Sequence, residues 1–317
     1  MDRDAIRAGL DALWARGDGA VLAPRTDWSV TAAGDPQGAD AVAGEVIEPL
    51  RRALAGLRRR DILFLGGLNV REEGGDWCAC LTHYAGNHVR PLWGIPPSGS
   101  LAMLRAGEFF RIEGGRVTKA RIILDLPDLA RQGGIDLYRG HRYGTEITFP
   151  PPLTQDGLCP PSAGAEESLR IIQGMLGDLH EYDPETGASA NQTGADGWWA
   201  EDMLWWGPAG IGSNFRWDGF VKDHRAPFLA AFPDRKGGNH YCRIGDGSYA
   251  AISGWPSMTM THRGEYLGVP ATGKALTLRV MDFYRCAGGR IAENWVMLDY
   301  VDLFSRMGVD LLARAAE

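Results

Sequence analysis

The segment Leu278-Arg-Val-Met-Asp-Phe-Tyr-Arg-Cys286 has the pattern of a β-strand carrying one acid. Side chains alternate across a sheet, so Leu278, Val280, Asp282, Tyr284 and Cys286 share a face, and Asp282 is its one carboxyl group. A carboxyl held among apolar neighbours is penalised when charged. Its pKa rises toward neutrality, which suits a general acid/base. The bland alternative pairs Asp282 with an arginine or sets it at a solvated edge. The row Leu104, Ala106, Glu108, Phe110 and Ile112 repeats the pattern with Glu108 as its single acid.

In Ser257-Met-Thr-Met-Thr-His262, the residues Met258, Met260 and His262 fall on one face. A lone histidine on an apolar strand face is commonly a hydrogen-bonded core residue. Here His88 stands in register with His262, which raises the pair as candidates for proton transfer. The strand ending in Asp299 groups Glu293, Trp295, Met297 and Asp299, and Asp299 also suits the cap of a terminal helix. Seven tryptophans, among them Trp205, Trp255 and Trp295, lie in the second half and four in the first. Such density fills a core or walls a pocket for a flat ligand. No dinucleotide or P-loop glycine motif occurs, and His180-Glu181 lacks the second histidine of a zinc-binding helix. Neither a cofactor nor a metal is expected.

These candidates sit in a repeat. Placing Gly94-Ile-Pro-Pro-Ser-Gly99 on Gly268-Val-Pro-Ala-Thr-Gly273 gives a gapless register from His88 on His262 to Leu137 on Leu311. Glu108 falls on Asp282 and Asp125 on Asp299, whereas Arg121 replaces Trp295 and Lys119 replaces Glu293. A period of this length marks a duplicated domain and not a solenoid. Each copy opens on an amphipathic helix, Asp4 to Ala15 and then Ser168 to Leu179. A second helix carries Val42, Val46, Ile47, Leu50, Leu54 and Leu57 on one stripe; its counterpart, Phe220 to Phe232, should break near Pro227. Three or four strands with glycine-rich turns follow, which predicts α+β domains with helices covering one face of a curved antiparallel sheet. The stretch with Phe149-Pro-Pro-Pro and Cys159-Pro-Pro reads as a linker. The expected division is therefore 1–137, a linker over 138–166, and 167–317.

Composition narrows the function classes. The chain of 317 residues is 44% hydrophobic, has a net charge of −7, and has no apolar run long enough to span a membrane. That balance argues against nucleic acid or an anionic membrane as the main partner. The five cysteines form no C-x-x-C, and with no apolar signal core at Met1 they read as reduced thiols of a cytoplasmic protein.

Thr261-His-Arg-Gly-Glu-Tyr-Leu-Gly-Val-Pro-Ala-Thr-Gly273, Met281-Asp-Phe-Tyr-Arg and Gly289-Arg-Ile-Ala-Glu-Asn-Trp295 together resemble the SnoaL-like polyketide cyclases. The first copy lacks the G-E after its histidine and lacks the E-x-W. The resemblance implies two cones of the nuclear-transport-factor-2 type, each a curved sheet wrapped by helices around a pocket. It also implies cofactor-independent aldol-type closure or isomerisation of a hydrophobic carbonyl compound. Asp282 would take the α-proton and His262 would polarise the carbonyl oxygen, provided the two converge on one cavity. Trp205, Trp255, Met260, Tyr284, Trp295 and Asp299 would line that cavity, with Glu108 and His88 forming a degenerate second one. A non-catalytic binding protein with the same pocket is the alternative. Single-module relatives pair through the open sheet face, so a fused chain is expected as a monomer with that contact made internally, or as a homodimer.

Overall fold

The computed structural model describes residues 1–145, 149–158, 163–183 and 186–317. It is α+β, with one helix-covered sheet in each half. The N-terminal half runs α1 (Arg3–Arg16), β1 (Leu22–Val30), α2 (Ala39–Val42), α3 (Glu48–Ala53), β2 (Leu54–Leu68), β3 (Asp76–His88), β4 (Leu101–Glu113), β5 (Arg116–Leu124) and α4 (Leu126–Gln132). The C-terminal half runs α5 (Ala165–His180), β6 (Trp199–Trp206), β7 (Ser213–Phe215), α6 (Arg216–Phe220), α7 (Ala226–Ala231), β8 (Cys242–Asp246), β9 (Tyr249–Thr261), β10 (Ala275–Ala287), β11 (Arg290–Leu298) and α8 (Tyr300–Met307).

The sheet orders are β1-β5-β4-β3-β2 and β7-β6-β11-β10-β9-β8. Both sheets are mixed, not antiparallel throughout: β1 runs parallel to β5, and β6 runs parallel to β11. These two strands follow the first helix of each half and break the expected order of helices before strands. Their partners lie some ninety residues on, beyond the reach of local pattern.

The opening helix forms where the pattern requires it. The Asp2 side chain accepts from the Ala5 amide, Gly17 ends the helix at φ 75°, and Ile6, Leu10, Leu13 and Trp14 form the buried stripe. The second helix of the C-terminal half is not broken at Pro227. A π-turn over Val221–Arg225 precedes α7 and takes up the hydrogen bond that proline cannot donate. Ala43–Ile47 does the same ahead of Pro49.

Each sheet has two buried faces. One packs on its own helices, while the other meets the other sheet. Between the sheets, Phe109 lies 5.7 Å from Phe283, and on the facing side of the second sheet Trp206 of β6 stacks on its neighbour Trp295 of β11 at 4.7 Å. Gly107 permits this approach, because a Cβ there would lie 2.9 Å from Met297 Cγ and 3.1 Å from Met281 Sδ. Polar ties cross at the rim: Ala209 N donates to Asp125 Oδ2 at 3.1 Å, and Asn69 Nδ2 donates to the Tyr241 carbonyl at 2.9 Å. Cys78, Cys80, Cys242 and Cys286 are buried thiols. Cys159-Pro-Pro lies outside the described residues. No described helix is long and apolar enough to cross a membrane.

Candidate active site

The helix side of the second sheet encloses a cavity of about 90 Å³. Val280, Asp282 and Tyr284 line it from β10, as alternation along that strand requires. The β10–β11 register sets Asp282 opposite Val296 and Tyr284 opposite Asn294, so the inward row of β11 is Asn294, Val296 and Leu298. Helices close the cavity: Met175, Leu176 and Leu179 from α5, and Phe220 and Phe228 from α6 and α7.

Asp282 is the one carboxylate in the lining. It is half-buried and lines the cavity from the sheet floor. Burial pushes its pKa up to about 7; hydrogen bonds from the Asn294 amide and the Tyr284 hydroxyl oppose that rise. Asn294 is held in place because its Nδ2 also donates to the Phe283 carbonyl at 3.0 Å. A carboxyl poised near neutrality, with hydrogen-bonded supports and an opening onto an apolar space, can accept a proton and return it.

The expected partnership with His262 is not formed. His262 is fully buried at the end of β9, where its Nδ1 meets Thr272 Oγ1 at 3.0 Å and its ring packs on Phe232; it does not line the cavity. The cavity instead holds His224, Nδ1 of which has no hydrogen-bond partner among the described residues. Its ring stacks on Trp205 with centroids 4.7 Å apart. Burial, reinforced by Arg235 and Arg225, lowers its pKa to about 3, so the ring is neutral at physiological pH. Aligning the two prolines, Pro49 on Pro227, would have revealed this residue: His224 and Arg225 then fall on the buried Val46 and Ile47 of the first half. The gapless overlay began later in the chain and missed that exchange of apolar for polar residues.

The remaining expected residues divide between the two faces. Tyr284 and Trp205 line the cavity. Trp295 does not: it pairs with Phe283 across β10–β11 and faces the other sheet, donating from Nε1 to the Pro150 carbonyl at 3.0 Å. Trp255 also points away from the cavity, and the Arg279 guanidinium lies 4.5 Å over its ring. Met260 packs in the helix-side core beyond the cavity. Asp299 caps α8, accepting from Asp302 N at 3.1 Å and pairing with Arg279 at 3.2 Å.

In the first half, Glu108 occupies the place of Asp282 but meets Arg59 at 2.7 Å and the Tyr84 hydroxyl, in space filled by Trp14 against Tyr84. Burial raises its pKa, while the arginine beside it opposes the rise. His88 sits at the end of β3, apart from Glu108 in the middle of β4. The pairing with arginine, the bland alternative for such an acid, is realised here. Among the described residues no three His, Cys, Asp or Glu side chains cluster so as to hold a metal ion.

Residues 193–306 match the family of SnoaL-like polyketide cyclases. Among solved structures, IdmH of Streptomyces antibioticus, provisionally assigned as a polyketide cyclase, is 23% identical, with 45% of this chain and 99% of that chain covered and a TM-score of 0.35. AclR of Streptomyces galilaeus, provisionally assigned as a hydroxylase, is 21% identical over 45% and 86%, with a TM-score of 0.35. A provisionally assigned polyketide cyclase of Acidithiobacillus ferrooxidans is 20% identical over 45% and 94%, with a TM-score of 0.36. No curated protein matches the chain. The similarity to the SnoaL-like polyketide cyclases thus falls on residues 193–306, the part of the chain that contains Asp282, His224 and most of the cavity lining.

Proposed function

We propose that the C-terminal module is a cyclase-like enzyme that uses acid/base chemistry, without a cofactor, on a hydrophobic carbonyl compound. The observation that carries this reading is Asp282, a carboxyl pushed by burial to a pKa of about 7 and lining a cavity beside the apolar Val280, Val296, Phe220 and Phe228. In its ionised form Asp282 takes a proton from the carbon α to a carbonyl and becomes a neutral acid. The electron pair left on the substrate is an enolate, whose oxygen needs a hydrogen-bond donor. Neutral His224 or the Tyr284 hydroxyl supplies that donor in place of His262, and a neutral imidazole can serve in this role. The enolate carbon then bonds to a second carbonyl carbon of the same molecule. The resulting alkoxide recovers the proton from Asp282, so atoms and charge balance and no redox partner is required.

The family match over 193–306 supports cyclase-like chemistry, and the stacked Trp205 and His224 suit a flat substrate. A binding-only protein is the competing reading, favoured by His262 standing outside the cavity.

Solvent-deuterium exchange into the α-position of an aryl ketone such as 1-indanone, followed by NMR, separates the two. An enzyme accelerates exchange, and Asp282→Asn lowers that acceleration by roughly a hundredfold or more. An exchange rate untouched by Asp282→Asn, or no acceleration by the native protein, removes the catalytic assignment.

A further inference from the structure

The cavity has a second polar end that the proposed chemistry does not use. Arg225 and Arg235 both line it, 6% and 8% exposed, and among the described residues neither is paired with a carboxylate. Arg225 is held from behind, donating through Nε to the Gly187 carbonyl at 2.9 Å and through Nη2 to Ser189 Oγ at 2.7 Å. Arg235 makes no side-chain hydrogen bond among the described residues; its guanidinium lies 5.0 Å from the Tyr182 ring centroid. His180 and His240 line the same end, and Arg243 Nε donates to His240 Nδ1 at 3.2 Å. The lining acid, Asp282, stands among Val280, Tyr284 and Asn294 on the sheet floor and forms no ion pair with either arginine.

A buried guanidinium without a counter-ion costs stability, and two neighbours of like charge cost more. Each arginine is held below the usual guanidinium range, by burial above all; for Arg225 the charge on Arg235 adds to the effect. In the first half, the π-turn residue in the place of Arg225 is the apolar Ile47, and Arg59 there has Glu108 as its counter-ion. The fold therefore does not require this charge. Retaining it unpaired at a cavity wall is the arrangement of a site whose counter-ion arrives with the ligand.

We infer that Arg225 and Arg235 form an anion-binding end of the cavity, and that the ligand carries a carboxylate at the end remote from the carbon facing Asp282. This rests on the proposed substrate pocket and adds the class of ligand: an aromatic or hydrophobic carbonyl compound that is also a carboxylic acid. A carboxylate suits the donors left free, because Arg225 has already committed two of its N–H groups while the fork of Arg235 is open.

Calorimetric titration of the full-length protein at neutral pH with benzoate and with its uncharged isostere benzamide tests the inference. Benzoate is expected to bind roughly tenfold to a hundredfold more tightly than benzamide, the worth of a charge-assisted hydrogen bond. Arg235→Gln is expected to bring the two affinities together, and Arg235→Lys to restore part of the preference. The comparison of the two ligands on the native protein needs no variant, so a misfolded Arg235→Gln protein does not shelter the idea. Equal affinities, no benzoate binding at millimolar concentration, or an unaltered preference in Arg235→Gln overturns it. The two proposals fail separately. Benzoate selectivity without Asp282-dependent exchange sinks the enzyme and spares the anion end; exchange without benzoate selectivity does the reverse.

Discussion

Replacing Asp282 by Asn should stabilise the protein at the pH where it removes the chemistry. Asn keeps the shape, can accept from Tyr284, and never ionises. The carboxyl it replaces has an ordinary value of 3.8 and is pushed up to about 7 by burial. At about 1.4 kcal/mol per tenfold, holding the ionised form in the folded state costs on the order of 4 kcal/mol once the pH exceeds about 7. The sign follows from the folded value lying above the unfolded one. The neutral carboxyl is fully tolerated below about pH 4, and stability is lost as pH rises through about 7. Urea unfolding of both proteins, followed by tryptophan fluorescence between about pH 4 and about pH 9, reads the difference directly. The curves should coincide at the acid end and separate in favour of Asp282→Asn, with the change complete just above pH 7. The same ionisation makes Asp282 a base, so α-proton exchange by the native protein should climb over that interval and level off above it. A stability difference that stays flat from acid to alkali would show Asp282 ionised throughout, and the general-base argument would lose its physical ground.

Two further outcomes follow from the buried contacts. Arg59→Met strands Glu108, which has no exposure, and should cost about 3–5 kcal/mol in urea unfolding, whereas Arg59→Met combined with Glu108→Leu should recover part of the loss, the buried Asp61 having lost Arg59 in both but keeping Arg7. If the single and double variants are equally unstable, the pair is not what balances that acid. Gly107→Ile drives a side chain between Met281 and Met297 and should lower stability by about 1–3 kcal/mol, with a matching fall in Tm by calorimetry. An unchanged Tm would show that the two sheets do not meet as closely as described.

The sequence by itself determined which residues of β10 share a face, because alternation along a strand is local: grouping Asp282 with Val280 and Tyr284 needed only the period of two. It also determined the opening helix of each half, from the spacing of their apolar residues, and the cap at Asp299. Alternation cannot say which face of a strand looks inward. That is a matter of register against a neighbour, and for β11 it turned Trp295 toward the other sheet and Asn294 toward the cavity. Trp255 lies where the pairing of β9 with β10 shifts register, between Gly254 opposite Val280 and Met258 opposite Leu278, so simple alternation does not fix its face. Tertiary structure alone supplied the rest of the site. His224 and Arg225 come from a π-turn some sixty residues before Asp282, and Arg235 and His240 from the segment leading into β8. The fates of the two in-register acids were likewise set from a distance. Arg59, on another strand, neutralises Glu108, while no cation reaches Asp282. A carboxyl's charge state depends on what is packed around it, and neighbours in space are not neighbours in the chain.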